Sequence, residues 1–147
     1  MYYAKYETVL QRHDVKEDIS NFNILNPQSV YNFAVENLKL DLKPQEYLYA
    51  ILISVKGEIV GVNEVSRGSL NGTIASPREI FRVAVMLPAY GIILVHNHPS
   101  GDPKPSQEDI DLTQKVVASG TVLDIPLVDH LVVGENRYYS FKEHGYI

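Results

Sequence analysis

The chain has 147 residues, 45% hydrophobic and 21% charged, with a net charge of -5. That length suits one domain with a sizeable core, and the composition is that of an ordinary globular protein. With no cysteine, disulfides and thiolate zinc sites are excluded, and the lack of a P-C-x-x-C pair argues against zinc nucleobase deaminases. The acidic balance disfavours broad, sequence-independent DNA binding, which leans on clustered Lys and Arg, without forbidding a local basic patch. No apolar run is long enough to span a bilayer, and Met1-Tyr2-Tyr3-Ala4-Lys5 is not a signal-peptide start. The expectation is a cytoplasmic protein without a membrane partner.

Residues 1–25 read as an N-terminal arm carrying Tyr2, Tyr3, Tyr6, Val9 and Leu10. Packing of these side chains onto the domain is the favoured reading, over a contact surface. A domain over 26–147 follows. Asn26 as N-cap and Pro27 at the first helical position start a helix, with Val30, Phe33, Ala34 and Leu38 on one apolar face. Leu40 to Glu46 is a linker containing Pro44. Tyr47 to Val55 and Ile59 to Val65 read as strands joined at Lys56-Gly57, a hairpin. Glu64 stands near the end of the second strand, before a Gly68-Ser69-Leu70 turn; on residue type alone it is a solvated side chain.

Ser76-Pro77 begins another helix by the same cap logic, burying Ile80, Val83, Ala84 and Leu87 before Pro88. Arg78 and Arg82, one turn apart, can hold an acidic or phosphate group or serve as surface charges beside Glu79. Ile92-Ile93-Leu94-Val95 is a short buried strand. It delivers His96 and His98, which share a face by strand alternation. Pro99 to Pro105 must loop. Ser106 then caps a helix from Gln107 to about Ser119, with Gly120 as its C-terminal cap. Val122 to Val128 and His130 to Val133 are strand-like, with Asp129-His130 as a polar break between them. Gly134-Glu135-Asn136 is a turn and Tyr138-Tyr139-Ser140 a last strand. His13 and His144 have no companions at ligand spacing.

Two imidazoles and a carboxylate, Asp109, leave one tetrahedral position open for water, the ligand count of a catalytic zinc site. Asp109 also sits where a capping-box carboxylate belongs, and the pattern alone does not choose between the two roles.

The string His96-x-His98, seven residues, Ser106-x-x-Asp109 resembles the JAMM (MPN+) metalloprotease motif H-x-H-x7-S-x2-D. The wider string HNHPSGDPKPS, together with Glu64, the segment Ser76 to Arg82 and Leu127-Val128-Asp129-His130, resembles the RadC-type JAB domain over roughly residues 40 to 147. The resemblance implies an α/β fold of the three-layer α/β/α type with a mixed central sheet. It implies Zn2+ held by His96, His98 and Asp109, Glu64 as the carboxylate beside the metal-bound water, and Ser106 as oxyanion donor. The implied reaction is hydrolysis of a peptide or isopeptide bond in a peptide or protein substrate. Asp129 and His130 would lie near the metal end of the sheet. Two other readings stay open: a DNA-repair-associated factor, against which the acidic charge and the lack of a helix-hairpin-helix pattern both count, and a non-catalytic interaction module.

Overall fold

The computed structural model describes residues 1–20, 22–23, 25–68 and 75–147. Residues 1–20 form no helix or strand and are exposed throughout. The arm's tyrosines do not pack onto the domain as expected: Tyr2, Tyr3 and Tyr6 are all close to fully exposed, whereas Phe22 near the end of the arm packs edge-on against Phe33.

The first helix, α1 (Pro27–Glu36), starts as its residues dictate, with the Asn26 side chain accepting from the Gln28 N–H. The segment read as a linker contains a 3-10 turn at Leu40–Leu42, whose Leu40 is fully buried. The hairpin forms from β1 (Tyr47–Ile53) and β2 (Ile59–Arg67). β1 stops two residues before Val55, because Ser54 closes the turn by donating its N–H to Glu58 O and accepting from Gly57 N–H. Ser69 and Leu70 of the expected turn lie outside the described residues. Next comes α2 (Pro77–Ala84); Ser76 has the extended backbone of an N-cap, but its side chain makes no capping hydrogen bond.

The central strand, β3 (Gly91–Asn97), is buried at every position. A long helix, α3 (Gln107–Leu123), returns the chain to β4 (Leu127–Val133), parallel to β3, and β5 (Tyr138–Ser140) closes the edge. Other boundaries also differ from the sequence reading: α3 runs on through Val122 and Leu123, expected in a strand, and β4 starts only at Leu127. Gly120 lies inside α3 rather than capping it; a Cβ there would sit 2.5 Å from the Ile125 carbonyl. The glycine is needed for close approach, and Asp124, in the left-handed region at φ 56°, ends the helix instead. Asp129 and His130 do not break a strand; both are buried within β4.

The sheet order is β2-β1-β3-β4-β5, antiparallel except for β3 with β4. Alternation along fully buried strands sends side chains into two cores. Leu48, Ala50, Leu52, Ile92 and Leu94 meet Ile80, Phe81, Leu112 and Val116 of α2 and α3. Ile51, Ile53, Ile93, Val95 and Leu131 meet Val30, Phe33 and Ala34 of α1 on the opposite face. This is the expected three-layer α/β/α architecture around a mixed sheet. No described helix is long and apolar enough to cross a membrane.

Candidate metal centre

The site forms where the C-terminal end of β3 meets the N-terminal turn of α3. His96 follows Leu94 on the α3 side of the sheet, so its ring points towards that helix and is fully buried. His98 lies one alternation further on, beyond the strand end. The proline-rich loop then returns to Ser106, the N-cap of α3. Its Oγ accepts from the Asp109 N–H (3.1 Å), while the Asp109 carboxylate accepts from the Ser106 N–H (2.8 Å). This capping box fixes the Asp109 side chain at the helix start, on the side facing the histidines. Asp109 therefore has both roles that the pattern left open: it caps the helix and joins the cluster.

His96 Nε2 lies 3.2 Å from His98 Nε2 and 3.4 Å from Asp109 Oδ1, and His98 Nε2 lies 3.2 Å from Asp109 Oδ2. With one ligand atom taken from each residue, all three lie within 4.8 Å of one another. A tetrahedral zinc with bonds of about 2.0–2.1 Å holds its ligand atoms about 3.3 Å apart, so the residues fit the ion. Their chemistry fits as well. His98 Nδ1 faces the Asp102 carbonyl at 2.8 Å and must donate to it, which leaves Nε2 of the neutral ring a bare lone pair directed at the cluster. Lone pairs and a carboxylate converging at such distances repel one another unless a ring proton or a metal cation lies between them.

The electrostatics of the metal-free site carry the same mark. Burial by itself would raise the Asp109 pKa. The His96 and His98 contacts and the Ser106 N–H outweigh that and hold the carboxyl well below its usual range. Burial would lower His98, but the Asp109 contact, the Asp102 carbonyl and the charges of Asp109 and Glu46 raise it overall.

Behind the cluster, His130 Nε2 lies 2.7 Å from His96 Nδ1, and Thr113 Oγ1 lies 2.7 Å from His130 Nδ1. Burial pushes the His130 pKa far down, and the charge of His96 adds to this. Its neighbour Asp129 faces away from the cluster. The Asp129 carboxylate accepts from the Ser140 hydroxyl and from the His130 and Lys142 N–H groups, tying β5 and the chain after it to β4.

Glu64 is not brought to the cluster. A bulge in the β1–β2 register pairs Leu48 with Ser66 but Tyr49 with Glu64. Leu48 also pairs with His96, so Ser66 and His96 share one face of the sheet, while Glu64 lies with Tyr49 on the other. There the Glu64 carboxylate accepts two hydrogen bonds from Arg67 (2.9 and 3.2 Å) and approaches the Tyr49 hydroxyl at 3.5 Å. A different carboxylate stands on the metal side. Glu46, just before β1, is a charge that acts on the His98 ring. Asn97 fastens this end of β1, accepting from the Tyr47 N–H (2.8 Å) and donating to the Gln45 carbonyl (3.0 Å).

The sequence reading missed Glu46 and Thr113. Thr113 stands one helical turn after Asp109, a spacing that could have pointed to it. Glu46 stands two residues before Leu48, but nothing local says which strand β1 pairs with. Of the two arginines considered for anion binding, Arg82 pairs with Glu79 at 2.7 Å, the surface-charge alternative.

Fold and cluster together define an α/β domain with an open His2Asp set able to hold a metal ion. The family model of the RadC-like JAB domain matches residues 24–146, and the chain belongs to that family. It is 42% identical over 126 residues to UPF0758 protein TTE0897 of Caldanaerobacter subterraneus subsp. tengcongensis, covering 86% of this chain and 53% of that protein. It is 44% identical over 123 residues to a UPF0758 protein of Carboxydothermus hydrogenoformans, covering 84% and 54%. With a UPF0758 protein of Methanococcoides burtonii the identity is 48% over 103 residues, covering 70% and 45%. The chain thus spans about half the length of the curated relatives it matches.

Proposed function

We propose that this domain is a zinc-dependent hydrolase that cleaves a peptide or isopeptide bond. The observation that carries the reading is the convergence of His96 Nε2, His98 Nε2 and an Asp109 oxygen within 4.8 Å, with the other nitrogen of the His98 ring already committed to a backbone carbonyl. A zinc ion held by these three residues would lower the pKa of a bound water to near neutrality. Glu46, whose charge acts on the His98 ring, would accept the water proton and return it to the leaving amine. Glu64 was the expected base, but its carboxylate is engaged by Arg67 on the far face, and we assign the proton transfer to Glu46. The Ser106 hydroxyl accepts from the Asp109 N–H, so its own hydrogen is free to donate to the developing oxyanion, and the residue is exposed to an incoming substrate. Cytoplasmic location remains part of this reading, since a cysteine-free zinc hydrolase needs no oxidising compartment.

The test is metal content by mass spectrometry on purified protein, followed by a screen of peptide and isopeptide substrates, with His96→Ala alongside. About one equivalent of zinc, lost in the variant, and zinc-dependent cleavage are expected. Protein that takes up no zinc on incubation overturns the reading and favours a non-catalytic interaction module.

A further inference from the structure

Thr113 is fully buried and its hydroxyl has one hydrogen. Oγ1 lies 2.7 Å from the Asp109 carbonyl, which can only accept, so the hydrogen goes there. The same Oγ1 lies 2.7 Å from His130 Nδ1 and has only acceptor capacity left, so His130 Nδ1–H is the donor. The His130 ring is fully buried, stacks on Phe141 and has no carboxylate among its hydrogen-bond partners. A second ring proton would bury an unpaired charge, so Nε2 is bare. Facing it at 2.7 Å, His96 Nδ1 must then carry a hydrogen. The neutral His96 ring is left with its lone pair on Nε2, the atom that looks into the cluster.

We propose that Thr113 and His130 are positioning residues that hold His96 as the Nδ1–H tautomer, so that its Nε2 is ready for a metal before one arrives. The proposal rests on the metal-site reading above for its consequence, not for its geometry. The chain starts on the backbone of Asp109 and ends on the ring of His96. It therefore ties two of the three ligand residues together through α3, β4 and β3. If Thr113 could not accept, His130 would be free to move its proton to Nε2 and donate to His96. His96 would then point an N–H at the cluster and lose its lone pair there.

The experiment has two parts. On metal-free wild-type protein at about pH 8, where imidazoles are neutral, long-range proton–nitrogen NMR reads the ring tautomers. Both His96 and His130 are expected as Nδ1–H forms; an Nε2–H His96 overturns the proposal. Zinc affinity is then measured by competition with a chelator for Thr113→Val, which removes the hydroxyl at similar volume, and for Thr113→Ser, which keeps it. The valine variant is expected to lose about 10–100-fold in affinity and the serine variant to stay near wild type. Valine binding as tightly as wild type, or serine as weakly as valine, sinks the relay. If Thr113→Val does not fold, the wild-type tautomers and the serine variant decide. A wild-type protein with His96 as Nδ1–H that binds no zinc overturns the hydrolase reading and leaves the tautomer assignment standing.

Discussion

Leu48 on β1 lies directly opposite His96 on β3. With the β1–β2 bulge it puts Glu64 on the sheet face away from His96, while the charge of Glu46, two residues before Leu48, acts on His98. Glu46→Gln is expected to bind zinc normally and lose at least about 100-fold in hydrolysis, the size of a general-base contribution. Glu64→Gln is expected to hydrolyse at about the wild-type rate. Turnover measured on both variants with matched zinc loading checks the assignment, and the opposite ranking would restore Glu64.

Zinc should stabilise the fold, since the three ligand residues come from β3, the loop after it and α3, and only the folded chain brings them together. A ligand at a hundredfold excess over its dissociation constant adds about 2.7 kcal/mol. Thermal unfolding with and without zinc is expected to show a clear rise in Tm, reversed by chelator and absent in His96→Ala. An equal rise in the variant would place the binding elsewhere.

Ser106 caps α3, and the proposed hydrolase reading gives it a second, separable job. Ser106→Ala removes the cap acceptor and should cost about 1 kcal/mol of stability. It also removes the hydroxyl proposed as oxyanion donor, and under that reading kcat should fall about 100-fold or more. Ser106→Asp restores a cap acceptor but brings no neutral hydroxyl, so stability is expected to recover while activity does not. Urea unfolding and initial rates on the two variants separate the effects; activity that recovers along with stability would assign Ser106 to the cap alone.

The metal-free cluster has its own pH signature. The Asp109 pKa is lowered on folding, so its contribution is present above the unfolded value near 3.9 and is lost as pH falls below it. The His98 pKa is raised on folding, so its contribution is present below about 6.5 and is lost as pH rises through the folded value. The pair is therefore most stabilising between about pH 4 and 6.5. The stability difference between wild type and Asp109→Asn, measured by urea unfolding without metal, should be largest in that window and shrink on either side. A difference that keeps growing towards alkaline pH would remove the His98–Asp109 pair as its source.

Gly134 supports the loop from a distance. A Cβ there would meet the Gly101 carbonyl at 2.5 Å and Pro103 Cδ at 2.7 Å, and this loop supplies the Asp102 carbonyl that orients His98. Gly134→Ala is expected to weaken zinc binding as well as lower Tm. Unchanged affinity in a folded variant would mean that the loop adjusts without disturbing His98.

Local chemistry determined a good part of this protein. Asn26-Pro27 and Ser106 start helices because capping is decided within four residues. The apolar run after Gly91 can only be a buried strand. His96 and His98 share a face because strand alternation requires it, and Asp109 joins them because a capping box points its carboxylate back over the helix start. The rest needed the tertiary structure, because it depends on pairings between residues far apart in the chain. The β1–β2 bulge sends Glu64 to one face and leaves Ser66 on the other. The path of the chain into β1 brings the charge of Glu46 to act on His98, and the parallel pairing of Leu94 with His130 sets an imidazole behind His96. Gly120 has the residue type of a helix cap, yet it belongs to the helix interior because the Ile125 backbone presses against it. Backbone preferences act over a few residues and are written locally. Register, face and close approach come from the whole packed sheet, and a shift of one residue in any pairing would have assembled a different set of side chains around the metal position.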